Sequence, residues 1–492
     1  MSAQPSTSDI SFVNRTHSLC DTRSPCAGDR RRRELEVVRS GLDAMTVATD
    51  FYQLAEHEIL WDDVTEHLDE AEFLFELWEA ALDAPNYTLA EVAAGPERRL
   101  LAHIDGLQVG GPAVAERLLF PTVENPGSYY GKVVAAALAC QHPERVLKVL
   151  VGAADEEQRR GIIKALELSD DASLNARVVQ VLDSSRGGVG CAALLEVLAR
   201  RRAPVGSWVG HLLGGDDPGA ALAAARLVRY CSDRQVLEGL APLAQSDDAG
   251  LRFAAVETAL IRQVPGAWES AVYWAFIPVE SPFRRDAMVW VALLGDAAAQ
   301  QHLLGLVDSP EHRADALWAL GFSGRVSAVD RCIELLGDDE IAPLAAEVVC
   351  AIAGLSTEDD RFWRAPPPPD GEGQTLPRLQ DDDLNRDLIP TAEAGLQIPE
   401  PEPTARWWQE RRPGFEPSLR YIGGRALTGR VLVDALWRAP MRRRHNLALE
   451  LGLRTGGTVM VGTRALSGPQ QAQLAELAEL EAIDFQRGMT LR

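Results

Sequence analysis

Three short stretches of this chain carry residue types that chemistry could use, and each lacks a necessary member. His57-Glu58-Ile59-Leu60-Trp61 begins like the helix of a zinc protease, in which two imidazoles one turn apart hold the metal and the glutamate activates water. Trp61 stands where the second His must be, so one ligand is missing. Gly424-Arg-Ala-Leu-Thr-Gly429-Arg430-Val431 has the glycine spacing of a loop whose backbone N–H groups cradle a phosphate. Arg430 replaces the Lys, Val431 replaces the magnesium-binding hydroxyl, and no strand is expected before it; the stretch reads as a tight turn between helices. Gly321-Phe322-Ser323-Gly324 is one residue short of a nucleophile elbow, and its glycine suits a helix C-cap. The nine His are not paired at metal or triad spacing, and a catalytic pair hidden among 72 acids would leave no mark. No catalytic, metal-ligating or cofactor-binding residue is assigned, and a non-enzyme is expected.

Residues suited to recognition are better represented. Trp407 and Trp408 lie beside Arg411 and Arg412, while Arg442, Arg443 and Arg444 follow Trp437 and Pro440. Trp and Arg carry much of the energy at protein interfaces. These seven residues, Trp407, Trp408, Arg411, Arg412, Arg442, Arg443 and Arg444, form the candidate interface. It faces either a protein partner or the chain's own acidic remainder. Residues 405–454 hold eleven Arg against four acids, in a chain whose formal charge is −23. Such a negative field disfavours nucleic acid and anionic lipid as partners.

The elements that must position these residues are helical. Aromatic residues are only 6% of the chain, and Ala and Leu dominate, which favours close helix packing over a sheet core. Residues 1–44 are polar and aperiodic and read as a disordered extension, with Met45 as an alternative start. Residues 45–130 read as an N-terminal helical region, in which 50–83 form two acidic helices with Ile59, Leu60, Phe73, Leu74, Leu77 and Trp78 as the apolar stripe. From 131 to 356 short helices alternate with Asp-, Gly- and Pro-rich turns. Asp217-Pro218, Ser281-Pro282 and Ser309-Pro310 each look like an N-cap followed by Pro at the first helical position. With Asp248 and Asp339 they recur at intervals of 28 to 33 residues, the period of a helical-repeat array. Residues 357–404 read as an acidic, Pro-rich linker, and 405–492 as a compact helical module. The expected fold class is all-α, a HEAT-like helical-repeat solenoid flanked by these two helical regions.

The seven Cys show no metal-ligand spacing and sit mostly in apolar helical context, as free thiols do in a reducing compartment. No apolar run approaches the ~20 residues needed to span a bilayer, and Asp9, Arg15, Asp21 and Arg23 interrupt any signal-peptide centre. A cytoplasmic protein without membrane insertion is expected.

Three segments resemble a little-characterised bacterial family with HEAT-like repeats of the phycobilin-lyase type. They are Ile59-Leu-Trp-Asp-Asp-Val-Thr-Glu-His-Leu-Asp-Glu-Ala-Glu-Phe-Leu, Leu101-Ala-His-Ile-Asp-Gly-Leu, and Arg443-Arg-His-Asn-Leu-Ala-Leu-Glu-Leu-Gly-Leu-Arg-Thr-Gly-Gly. The resemblance spans about residue 46 to the C-terminus. It implies an adaptor or accessory role, since genes of such proteins often stand in type VI secretion effector clusters beside spike-tip proteins. No bilin-handling residue is carried over. The leading expectation is a non-catalytic scaffold or adaptor for a protein partner, without nucleic acid, cofactor or membrane. The alternative is a HEAT-like enzyme of the bilin-lyase type. Oligomeric state is not legible.

Overall fold

A chain rich in Ala and Leu gains most by burying one stripe of each helix against the next. The computed structural model describes residues 59–184, 189–277, 281–364, 393, 395–477 and 483–489, and among them it is all-α apart from one two-stranded hairpin and isolated bridges. Helices from Trp61 onward make up one unit. Residues 1–44 and the pair His57-Glu58 lie outside the described residues.

The first described helix, α1 (Trp61–Ala81), buries Leu68, Ala71, Leu74, Phe75 and Trp78. Phe73 and Leu77, expected in that stripe, are exposed instead, as is Leu60. Two apolar phases compete on this helix, and only one can face its neighbour. The phase with Phe75 and Trp78 prevails, and the Trp78 indole N–H also finds the buried carboxylate of Glu97 at 2.9 Å.

An inner row of helices follows: α2 (Arg98–Val109), α3 (Tyr130–Ala139), α4 (Glu156–Leu168), α5 (Val189–Arg200), α6 (Pro218–Leu227), α7 (Ala249–Ile261), α8 (Arg284–Leu294), α9 (Arg313–Leu320) and α10 (Ala342–Ala353). From α4 onward their starts are 29 to 35 residues apart, which matches the period read from the turns. Other helices such as Leu174–Ser184, Ala297–Leu306 and Val326–Leu335 lie between them in sequence. Asp217 and Asp248 are N-caps, their carboxylates accepting from N–H groups of the first turn. Ser281, Ser309 and Asp338 are not. Their carbonyls accept from the N–H groups of Arg284, Arg313 and Ala342, closing a separate turn, so each helix starts only after it.

The C-terminal residues pack along the inner row. They comprise α11 (Pro401–Arg411), the hairpin β1 (Tyr421–Ile422) and β2 (Arg425–Ala426), α12 (Gly429–Arg438), α13 (Met441–Arg454) and α14 (Ser467–Glu476). A strand therefore does precede the glycine stretch at 424–431, contrary to expectation. Its chemistry is still structural: the N–H groups of Gly423 and Gly424 donate to the carbonyls of Ala351 and Ile352, each at 2.8 Å. They cap the end of α10, whose last carbonyls have no partner within the helix. A Cβ at Gly424 would sit 2.8 Å from the Ala353 carbonyl oxygen, so this approach needs glycine.

Between α13 and α14, residues 455–466 form a strap lying on the inner row. Three inner-row cations grip its carbonyls: Arg262 takes Gly456 at 3.2 Å, Arg202 takes Met460 at 2.8 Å and Lys164 takes Arg464 at 3.1 Å. Gln263 also donates to the carbonyl of Leu453. Arg202 and Gln263 are the two non-glycine residues with positive φ among those described, each at 55°. Each follows an inner helix and is closed by the same back-bond, Ala203 N–H to Leu198 and Val264 N–H to Ala259. Glycine would suit this left-handed cap best, so the side chains are retained at a conformational cost of about 1 kcal/mol. Replacing Arg202 with Gly should relieve that strain yet lower stability by about 1–2 kcal/mol, because the Met460 carbonyl loses its charged donor. A denaturation midpoint at or above wild type would show that the side chain contributes nothing.

Candidate binding groove

From α4 onward each inner helix places a charged residue at an equivalent position: Glu167, Glu196, Arg226, Glu257, Asp286, Asp315 and Glu347, at intervals of 29 to 32 residues. Neighbouring helices bridge these positions with ion pairs. Arg200 reaches Glu167 at 3.3 Å and Glu196 at 2.8 Å, and Arg226 reaches Glu196 at 3.0 Å. Arg229 meets Glu257 at 2.5 Å, and Arg285 lies 3.8 Å from Asp315. The result is a ladder of alternating charge along the row.

The C-terminal segment covers the far end of this ladder. Arg442 and Arg443 approach Glu347 at 3.5 and 3.7 Å and stand over the Trp318 ring at 4.4 and 5.7 Å. Arg443 also donates to the Gly321 carbonyl at 2.6 Å. The near end stays open. Between α2–α8 and the roof made by α13 and the strap lies a groove of about 1420 Å³, whose α5–α8 part is lined by Glu196, Arg200, Arg226, Arg229, Glu257 and Asp286 on one side. Asn446, Leu449 and Met460 line the other.

Charges differ in how far they are satisfied. Glu196 is held below the ordinary carboxylate range: Arg226 and Arg200 outweigh the opposing effect of its burial. Asp286 has no ion pair among the described residues. Crowding by protein, then the carboxylate of Glu257, pushes its carboxyl up to about 6. Cys140 also lines the groove, but burial pushes its thiol up to about 12, so it stays protonated at neutral pH. His445, on the roof, is kept below its usual range by burial while its ring bonds Thr463 and the Leu82 carbonyl.

The Trp- and Arg-rich residues singled out from sequence are largely spent on the chain itself. Trp408 is buried, with its indole N–H on Asp330 at 2.8 Å, and Arg412 shares that carboxylate at 2.9 Å. Trp407 packs edge-on to Phe362, and exposed Arg411 lies 5.1 Å from its ring. Arg442, Arg443 and Arg444 are all buried, Arg444 bonding the Leu436 carbonyl and Gln470. Of the two readings of this cluster, internal docking is what the structure shows for Trp408, Arg412 and the three arginines. A surface-exposed patch at 442–444 is excluded.

The ladder went unnoticed in the sequence, although a signal was present. A single acid flanked by apolar residues recurs in Leu-Glu167-Leu, Leu-Glu196-Val and Ala-Glu347-Val. Lone charges inside apolar helical stretches, recurring at the repeat period, mark a shared face. Gly321-Phe322-Ser323-Gly324 serves the same assembly: its carbonyls receive Arg443 and Arg420. Among the described residues no helix is long and apolar enough to cross a membrane. No protein-family model matches the chain, and no curated protein matches it.

Proposed function

We propose that the chain is a non-catalytic interaction scaffold of HEAT-like type, an adaptor that holds a protein partner in the groove of its inner row. The observation that supports this reading is the groove's size and openness. At about 1420 Å³ it exceeds the roughly 300–1,000 Å³ of ordinary small-molecule pockets, and it runs across several repeats. Stacked helix pairs create extended surfaces of this kind, which suit macromolecular partners. Charges on both walls would set the register and orientation of such a partner. The resemblance to proteins encoded near type VI secretion effectors makes cytoplasmic effectors and spike-tip proteins the first partners to test.

Affinity purification of the full chain from its native cell, followed by identification of the captured protein, tests the reading. Asn446 lies half-buried on the groove roof, and Asn446→Trp should obstruct the groove while leaving the melting temperature within a few degrees of wild type. The captured partner should be lost at least tenfold in the variant. Undiminished capture by a folded Asn446→Trp protein would rule the groove out.

A further inference from the structure

The chain already contains a ligand for its own inner row, and that ligand reveals how the row is read. Inner-row cations take backbone carbonyls: Lys164, Arg202 and Arg262 each hold one from the strap. An inner-row acid takes arginines: Glu347 stands opposite Arg442 and Arg443. Both modes operate on residues drawn from one continuous segment, 442–464. Between these strap contacts, the ladder charges of the open half repeat the same chemistry, yet among the described residues they pair with one another and not with the C-terminal segment. Arg200 and Arg226 share Glu196, Arg229 shares Glu257, and Asp286 stands without an ion pair among the described residues.

We propose that the open half of the groove binds an extended polypeptide segment of a partner protein, with an Arg or Lys side chain set against Asp286 and Glu257. This rests on the scaffold reading above and names the chemistry of its partner. Three observations select that guest. Arg200, Arg226 and Arg229 already face acids, and Arg201 and Arg202 are held by carbonyls, so an anionic guest would have to break those contacts, whereas a cationic one completes the carboxylate of Asp286. Crowding by the protein and then the Glu257 carboxylate raise the Asp286 carboxyl, and a guest cation placed between the two acids would relieve the second of these effects. The guest is extended because the roof offers backbone donors: Met460 and Val461 line the groove, and neither N–H has an acceptor among the described residues. An extended segment has carbonyls free to meet them, while a helix spends its own internally. Crossing from α4 to α8 covers four interhelix spacings of about 8–10 Å, which at about 3.3 Å per residue calls for roughly ten residues.

Fluorescence anisotropy on the full chain tests this with three labelled Gly-Ser decapeptides, carrying Arg at two alternate positions, Glu at those positions, or neither. The Arg peptide should bind at least tenfold more tightly than the other two. Asp286 is accessible in the groove, so Asp286→Arg should fold and should reverse the preference toward the Glu peptide; Asp286→Asn should abolish the preference without reversing it. Equal binding of all three peptides, or no binding, overturns the proposal. So does a preference that survives Asp286→Arg in a protein whose melting is unchanged. If no peptide binds while wild type still captures a partner that Asn446→Trp loses, the basic extended guest is rejected and the scaffold reading stands. If capture is also insensitive to Asn446→Trp, both fall.

Discussion

Glu450→Ala should destabilise the protein by about 3–5 kcal/mol, more than any neutral change on its surface. Glu450 is fully buried and forms a two-pronged pair with Arg420, itself 2% exposed. The same guanidinium donates to the carbonyls of Phe322, Ser323 and Phe485, tying the end of α9, the β1 hairpin and the chain's last described residues into one knot. Arg454 stands 3.7 Å from the same carboxylate. Removing the carboxylate leaves two arginines in a low-dielectric site with no acid to face. Their mutual repulsion, together with lost solvation, is what costs so much. Removing both members is expected to cost less, because the pair's attraction is largely offset by desolvation. The double change Arg420→Met with Glu450→Met should therefore be milder than Glu450→Ala alone, a non-additivity that denaturant midpoints would reveal. A loss below about 1 kcal/mol for Glu450→Ala would contradict a dry, mutually dependent pair.

Reversing Arg442, Arg443 and Arg444 together to Glu should abolish folding. Exposed ion pairs contribute only about 0–1 kcal/mol each, so three arginines at a surface would cost a few kcal/mol at most. Their burial changes the physics. Arg442 and Arg443 at 5% exposure confront Glu347, and a glutamate in either place would bring two carboxylates together without solvent. Arg444 is fully buried and held by neutral groups alone, the Leu436 carbonyl and Gln470; burial lowers its pKa to about 10. A carboxylate there would face the carbonyl and amide oxygens that now accept. Each buried uncompensated charge costs several kcal/mol, and three exceed the 5–15 kcal/mol that typically separates a folded chain from its unfolded state. Expression as insoluble or protease-sensitive material is the expected outcome. A soluble triple variant with a cooperative, wild-type-like melt would show that helix α13 does not dock as described. Met at position 444 is the informative control: it keeps the bulk, removes the charge and should leave a folded protein.

Helix identity and repeat spacing were legible because they depend on local pattern. Ala- and Leu-rich stretches with 3.6-residue periodicity and Asp-capped starts at 217 and 248 mark helices whatever their neighbours, and the interval near 30 residues follows from one helix pair being one unit of burial. Phase was less secure. On α1 the apolar residues populate two faces, and only the presence of Glu97 and the neighbouring helices decides that Trp78 and Phe75 turn inward while Phe73 stays out. The candidate interface was chosen by composition, which says that Trp and Arg seek partners without saying where those partners are. Asp330 for Trp408 and Glu347 for Arg443 lie 78 and 96 residues away in sequence, and no local rule connects them. Composition also marked 357–404 as linker, yet the Glu400 N–H bonds Phe362 and α11 starts at Pro401, where proline is well suited to a first helical position.

The sequence by itself determined that the fold is mainly helical, that its helices recur about every 30 residues, and that its basic residues gather near the C-terminus opposite an acidic remainder. Those properties are sums over local choices: propensity, periodicity, capping and charge count. Only the tertiary structure decided what the basic segment does. It lies on the inner row, buries its arginines against Glu347, Gly321 and Gln470, and leaves the groove above Glu196, Glu257 and Asp286 open. Which charges are paired and which stand free is a question of distance across the fold, and electrostatic energy depends on distance and burial where sequence separation has no bearing.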